Sequence, residues 1–150
     1  MVVVSPENFA ITRQRGFTLQ GISSSNRKKA ERIERGDRVL FYISGIRRFA
    51  ATATVASGIQ ESHEPLWKSP KEGEDFPHRF GIRRNVLLRE EDFLDADEIS
   101  PRLDYVRKWP PERWPLAFQG DLHLISKRDL QLLEVEMRKV LNRRRSAARR

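Results

Sequence analysis

The sequence predicts an α+β domain centred on a small β-barrel, and three stretches carry that expectation. Gly36 to Val55 reads as a β-hairpin. Within it Val39–Ile43 is a continuous apolar run of β-forming residues. It is too short for a helix and apolar enough to be covered on both faces, as a central strand is. Ser44-Gly45 supplies the turn, because glycine reaches the φ > 0 values that tight hairpin loops need. Beyond it Phe49, Ala51, Ala53 and Val55 alternate with Ala50, Thr52, Thr54 and Ala56. Phe80, Ile82, Val86 and Leu88 stand at even spacing and give a second long strand, broken near Arg83-Arg84-Asn85. Leu130, Leu133, Met137, Val140 and Leu141 recur at helical spacing, so a C-terminal helix docks by one face.

The other elements follow from local chemistry. Val2-Val3-Val4 is a short first strand. Ser5 then caps a helix that Pro6 opens, since proline at the first helical position gives up an N–H that has no partner there. Phe9 anchors this helix, Gly16 stops it, and Phe17–Gly21 is extended. Ser23 to Asn26 supplies caps for a mostly solvated helix over 27–35, with Ala30 and Ile33 inward and Glu31 and Arg35 at i,i+4. Ser57 to His78 holds Pro65, Pro70, Pro77 and Gly73 and is a long loop; loops of that length are functional or disordered, and Trp67 and Phe76 argue against plain disorder. The acidic run 90–98 is a loop or helical turn, and Pro110, Pro111 and Pro115 exclude a regular helix between them. Gln119-Gly120-Asp121 turns between the short extended pieces Leu116–Phe118 and Leu122–Leu124. Ser126 opens a capping box with Asp129.

Length and composition bound the function. A chain of 150 residues fits one domain, which buries roughly 68–70% of its unfolded surface. The absence of cysteine excludes disulfides, thiolate metal sites and cysteine nucleophiles. No apolar stretch reaches the length of a membrane span and the first residues lack the pattern of a signal peptide, so a cytoplasmic location is the expectation. Of the net charge of +8, residues 138–150 carry +7, which leaves +1 for the other 137. Residues 1–141 are read as one domain and 142–150 as a basic, disordered tail. Between Arg13 and Arg48 ten basic residues stand against three acids; Arg27, Lys28, Lys29, Arg47 and Arg48 are the candidates for binding phosphates. His63, His78 and His123 lack metal-type spacing, and no glycine-rich phosphate loop or nucleophile elbow is present. No metal, cofactor or catalytic residue is predicted. Tyr42, Trp67, Phe76, Trp109, Trp114 and Phe118 lie in or beside loops and short strands. Such aromatics either pack a core or form a stacking pocket for a base taken out of its helix.

Val-Val-Val-Ser-Pro-Glu-Asn-Phe at 2–9, a short segment containing Gly21, Gly-Asp-Arg-Val-Leu-Phe-Tyr at 36–42, Phe-Pro-His-Arg-Phe at 76–80 and Arg-Trp-Pro-Leu-Ala-Phe-Gln-Gly at 113–120 occur in this order. The series resembles the EVE domain, over nearly residues 1–137. The resemblance implies a PUA-like fold, a small curved mixed β-barrel with surrounding helices, related to the YTH and ASCH domains. It also implies a non-catalytic module that binds DNA or RNA and reads a modified base in an aromatic pocket at the barrel mouth. Ser5 and Asn8 match polar residues after the first strand, Tyr42 and Ser44 the end of the central strand, and Trp114 and Phe118 the C-terminal aromatic segment. Relatives often carry Trp just before the glycine that is Gly21; here the residue is Gln20, whose amide hydrogen-bonds a base edge but stacks poorly. Trp67 or Phe76 is then expected to supply that wall, and His78 joins the pocket set. The alternatives are an enzyme acting on a nucleic acid or nucleotide, with His78 its best candidate group, and a protein-interaction domain using the 57–77 loop.

Overall fold

The apolar run at 39–43 lies in an interior strand, one in from the edge, of a curled, mixed, seven-stranded sheet. The computed structural model describes residues 1–149. Its strands are β1 (Val2–Val4), β2 (Leu19–Ile22), β3 (Arg38–Ile43), β4 (Arg48–Val55), β5 (Gln60–Glu61), β6 (His78–Leu87) and β7 (Leu94–Asp95). The main path is β1-β3-β4-β6-β2, with β5 on β6 and β7 on β4. β1 joins β3 in parallel and the other pairings are antiparallel. The helices are α1 (Pro6–Gln14), α2 (Arg27–Ala30), α3 (Ala96–Ile99) and α4 (Lys127–Ala148).

Both faces of β3 are covered, as a continuous apolar run requires. Val39, Phe41 and Ile43 face a cluster with Phe9, Phe17, Ile22 and Phe80, drawn from strands around the barrel and from α1. Phe41 sits 5.1 Å from Phe17 and 5.8 Å from Phe9, ring to ring, and is fully buried. Burying such a side chain stabilises by about 1.5–3 kcal/mol. Leu40 and Tyr42 face the opposite cluster, with Phe49, Phe118, Leu133 and Met137. This is where α4 docks with its apolar stripe.

Several expectations change in detail. The helix over 27–35 shortens to one turn of 3₁₀ helix at Ser24–Asn26 and the four residues of α2, because only Ala30 is buried there. The second long strand is not broken at 83–85; β6 runs through, and the β4 register shifts between Thr52 and Ala53, so Asn85 is the extra residue of a bulge. Leu116–Phe118 is not extended but ends a 3₁₀ segment that starts at Pro111. Ser126 caps α4 by accepting from the Asp129 N–H at 3.1 Å. The Asp129 carboxylate does not return the bond; it accepts from the N–H groups of Asp104 and Tyr105, both at 2.8 Å. Finally, α4 continues to Ala148, where the sequence suggested a disordered tail from 142. Arg144 explains the extension. Its guanidinium donates twice to Asp92, at 2.5 and 2.9 Å, and holds that carboxyl below its usual pKa. The surrounding Arg and Ala residues are good helix formers.

Candidate functional site

A concavity lies where the C-terminal end of β1, the start of α1, β2 and the 57–77 loop meet. Its volume is about 440 Å³. Three aromatic side chains line it: Trp67 and Phe76 from the long loop, and Phe118 from the 3₁₀ segment. Ser5 and Asn8, then Gln20, Gly21 and Ser23, and finally Ser44 add polar groups from three further stretches of chain. Lys68, Lys71, Glu74 and Asp121 bring charge to it.

Trp67 is fixed from every side. Gly21 leaves the space for its ring; a Cβ at that position would lie 2.6 Å from Trp67 Cζ3 and 2.8 Å from Cε3, closer than real contacts allow. Its Nε1–H donates to Thr12 Oγ1 at 3.0 Å, and that hydroxyl donates in turn to Gln20 Oε1 at 2.9 Å. The Gln20 amide then donates to the Gly21 carbonyl, also at 2.9 Å. The guanidinium of Arg79 lies 5.1 Å from the Trp67 ring centre, within cation–π range. Buried Arg79 also ties the loop together, donating to the carbonyls of Phe76 (3.0 Å) and Glu64 and to Ser62 Oγ (3.3 Å). Desolvation lowers its pKa. Asn8 closes the other side: its amide donates to the Lys68 carbonyl at 2.7 Å while its oxygen accepts the Lys68 N–H at 2.9 Å.

The loop is therefore ordered by side chains that the sequence had placed in the pocket for another purpose. Gln20 and Asn8 line the cavity, but they spend hydrogen bonds on neighbouring protein groups. Ser5 Oγ accepts the Asn8 N–H at 3.1 Å as helix cap, and Ser44 Oγ donates to the Val4 carbonyl at 3.2 Å.

Three residues of the predicted pocket lie elsewhere. Tyr42 is buried in the core, stacked on Phe118 at 4.4 Å with the planes 12° apart. Burial pushes its phenol pKa up. Trp114 packs edge-on to the same Phe118, 5.6 Å away, with Arg47 over its own ring at 5.1 Å. His78 is a buried residue at the start of β6, paired with Ile22 and Glu61. For Tyr42 and His78, alternation along a strand does not say which face of a curled sheet borders the cavity; for Trp114, nothing local shows that its segment winds as a 3₁₀ helix onto Phe118.

Of the predicted phosphate ligands, Arg47 pairs with Asp97, Arg48 with Asp95 at 2.8 Å and Arg27 with Glu31 at 3.0 Å. Lys28 is exposed, and Lys29 Nζ reaches the Leu122 carbonyl at 3.4 Å. Lys68 and Lys71, which the sequence reading left unassigned in the loop, are the lysines at the cavity. The long loop with its tryptophan was the signal that could have found them. Among the described residues no group of three His, Asp or Glu is arranged to hold a metal ion.

No curated protein matches the chain. Solved structures of YTH domains do. The YTH domain of Mmi1 superposes with a TM-score of 0.59 at 10% identity, over 94% of this chain and 97% of that one. A complex of YTH domain-containing protein Mmi1 with RNA gives 0.62 at 12% identity, covering 95% and 83%. A second Mmi1 complex with RNA gives 0.56 at 12%, covering 95% and 80%. At such identities the likeness is one of fold. The family model for the EVE domain matches residues 1–102, two thirds of the length, with β1 to β6 and the loop that walls the cavity: the chain belongs to the EVE domain family.

Proposed function

We propose that the protein is a non-catalytic nucleic-acid-binding module that holds one extruded base, carrying a modification, in the cavity between the 57–77 loop and the barrel. The observation that carries this reading is the lining of the cavity. Phe76, which is partly exposed, and the buried rings of Trp67 and Phe118 line it, with Ser5, Ser23 and Ser44 beside them. Stacking a base on an aromatic side chain contributes about 1–3 kcal/mol and tolerates any base, because every base has a π-face. A methyl or similar group on the base gains further from apolar contact. Lys68 and Lys71 stand where they attract the phosphates flanking such a base, and Lys28 and Lys29 extend the basic surface beyond Ser23. Fold likeness to YTH domains solved with RNA supports the class of partner.

The test is fluorescence anisotropy with short single- and double-stranded DNA and RNA, with and without modified bases, across a salt series. The expected result is a preference for one modified base that survives at higher salt and is lost in Phe76→Ala. Binding that vanishes with salt and ignores the base would reduce the module to a charged surface.

A further inference from the structure

The polar lining of the cavity is not uniform. A chain of hydrogen bonds runs along it from Asp121 to Lys71. Ser23 Oγ donates to Asp121 Oδ2 at 2.6 Å and lies 3.2 Å from Ser25 Oγ. Ser25 donates to Glu74 Oε2 at 3.2 Å, Ser69 donates to Glu74 Oε1 at 2.9 Å, and Ser69 Oγ accepts the Lys71 N–H at 3.1 Å. The chain has Asp121 at one end and Glu74 within it, and stops at the Lys71 backbone N–H. Its two carboxylates differ in what they have left to offer. Glu74 has a hydroxyl on each oxygen. Asp121 takes Ser23 and the Asn26 amide (3.1 Å) on Oδ2 alone, and among the described residues no donor reaches Oδ1.

Resting on the reading of the cavity as a base site, we infer that Asp121 is its selectivity residue and favours bases with an exocyclic amino group: adenine, cytosine or guanine. An ionised carboxylate accepts hydrogen bonds and donates none. An amino group meets Oδ1 with an N–H. Uracil and thymine present a single N–H between two carbonyl oxygens, so a carboxylate that takes this N–H faces a carbonyl as well. Ser23 is fully buried, so the donor that orients Asp121 is held in place. The Asp121 carbonyl accepts the Val3 N–H at 2.9 Å, which fixes the backbone against β1. Lys68 and Lys71, near the other end of the chain, are left to the phosphate, so the nucleotide has one favoured orientation.

The experiment uses the full chain and short single strands in which one central base, adenine, cytosine, guanine or uracil, is flanked by abasic positions, each with and without a methyl group on the base. The wild type should bind at least one amino-bearing base about ten-fold more tightly than uracil, the scale of one good base-edge contact. Asp121→Asn, which keeps an acceptor for Ser23 and adds a donor, should bring uracil to within about two-fold of it, at an unchanged melting temperature. Uracil bound as well as the amino bases by wild type, or a ranking unmoved in a folded Asp121→Asn, would overturn the selectivity while leaving the base site standing, provided Phe76→Ala still weakens binding at least about five-fold. Binding indifferent to Phe76→Ala, or none to any strand, would overturn both.

Discussion

Two groups of aromatic side chains, one packed around Phe118 and one in the 57–77 loop, do different work. On one side Tyr42, Phe49 and Trp114 close around Phe118, with ring centres 4.4, 5.8 and 5.6 Å away. On the other side Trp67 and Phe76 stand 6.5 Å apart at the wall of an open cavity. The first group is packed by α4 and the 3₁₀ segment; the second is held by hydrogen bonds to Thr12 and by Arg79, Gly21 and Asn8. What separates a core from a pocket here is the covering element and not the residue type. Where a helix docks, aromatics fill space. Where a loop is tied down by its backbone, Phe76 is left partly exposed beside a gap.

Breaking the packed group should cost the most stability. Tyr42→Ala removes a buried ring stacked on Phe118, and the expected loss is about 3–5 kcal/mol, read from the denaturant midpoint. Base binding per folded molecule should be retained. Gly21→Ala comes next: the added Cβ collides with the Trp67 ring and overpacks the wall, for a loss of about 1–3 kcal/mol. This substitution should also weaken base binding, because the ring must move. Phe76→Ala sharpens the comparison from the other side. Phe76 is only partly buried, so its removal should cost less stability than Tyr42→Ala while removing about 1–3 kcal/mol of base stacking, roughly a 5- to 150-fold weaker Kd.

The smallest expected effect concerns pH. Exposed His63 bonds Asp75 at 2.7 Å and Glu61 at 3.0 Å, and both carboxylates raise its pKa above 6.5. A group whose pKa is raised on folding contributes its stabilisation fully below the unfolded value and loses it as pH rises through the folded one. The tie across the loop therefore weakens above pH 6.5. Proteolytic nicking within 57–77 should quicken over that range in wild type and show no such step in His63→Gln.

The fold was legible wherever burial imposes a period. The apolar run at 39–43, the Ser5 cap, the Ser44-Gly45 turn and the stripe from Leu130 to Leu141 all appear where the residues put them. The basic tail misled, because charge density was read as disorder while the Arg144–Asp92 pairing depends on a residue 52 positions away. The site was legible only in part for the same reason. Ser5, Asn8, Gln20, Gly21, Ser44, Trp67, Phe76 and Phe118 do gather at one cavity, but Tyr42, Trp114 and His78 do not. Asp121 looked like a turn residue, since nothing local shows that Ser23 lies 2.6 Å from it.

The chain has three tryptophans, Trp67, Trp109 and Trp114, so a ¹⁵N-correlation spectrum carries three indole N–H signals. Titrating a short single strand that carries a modified base, with the signals assigned by Trp→Phe variants, tests the central claim directly. The Trp67 signal should shift progressively while that of Trp114 stays in place. A shift confined to Trp114, with Trp67 unmoved, would put the ligand on the packed group and contradict the account.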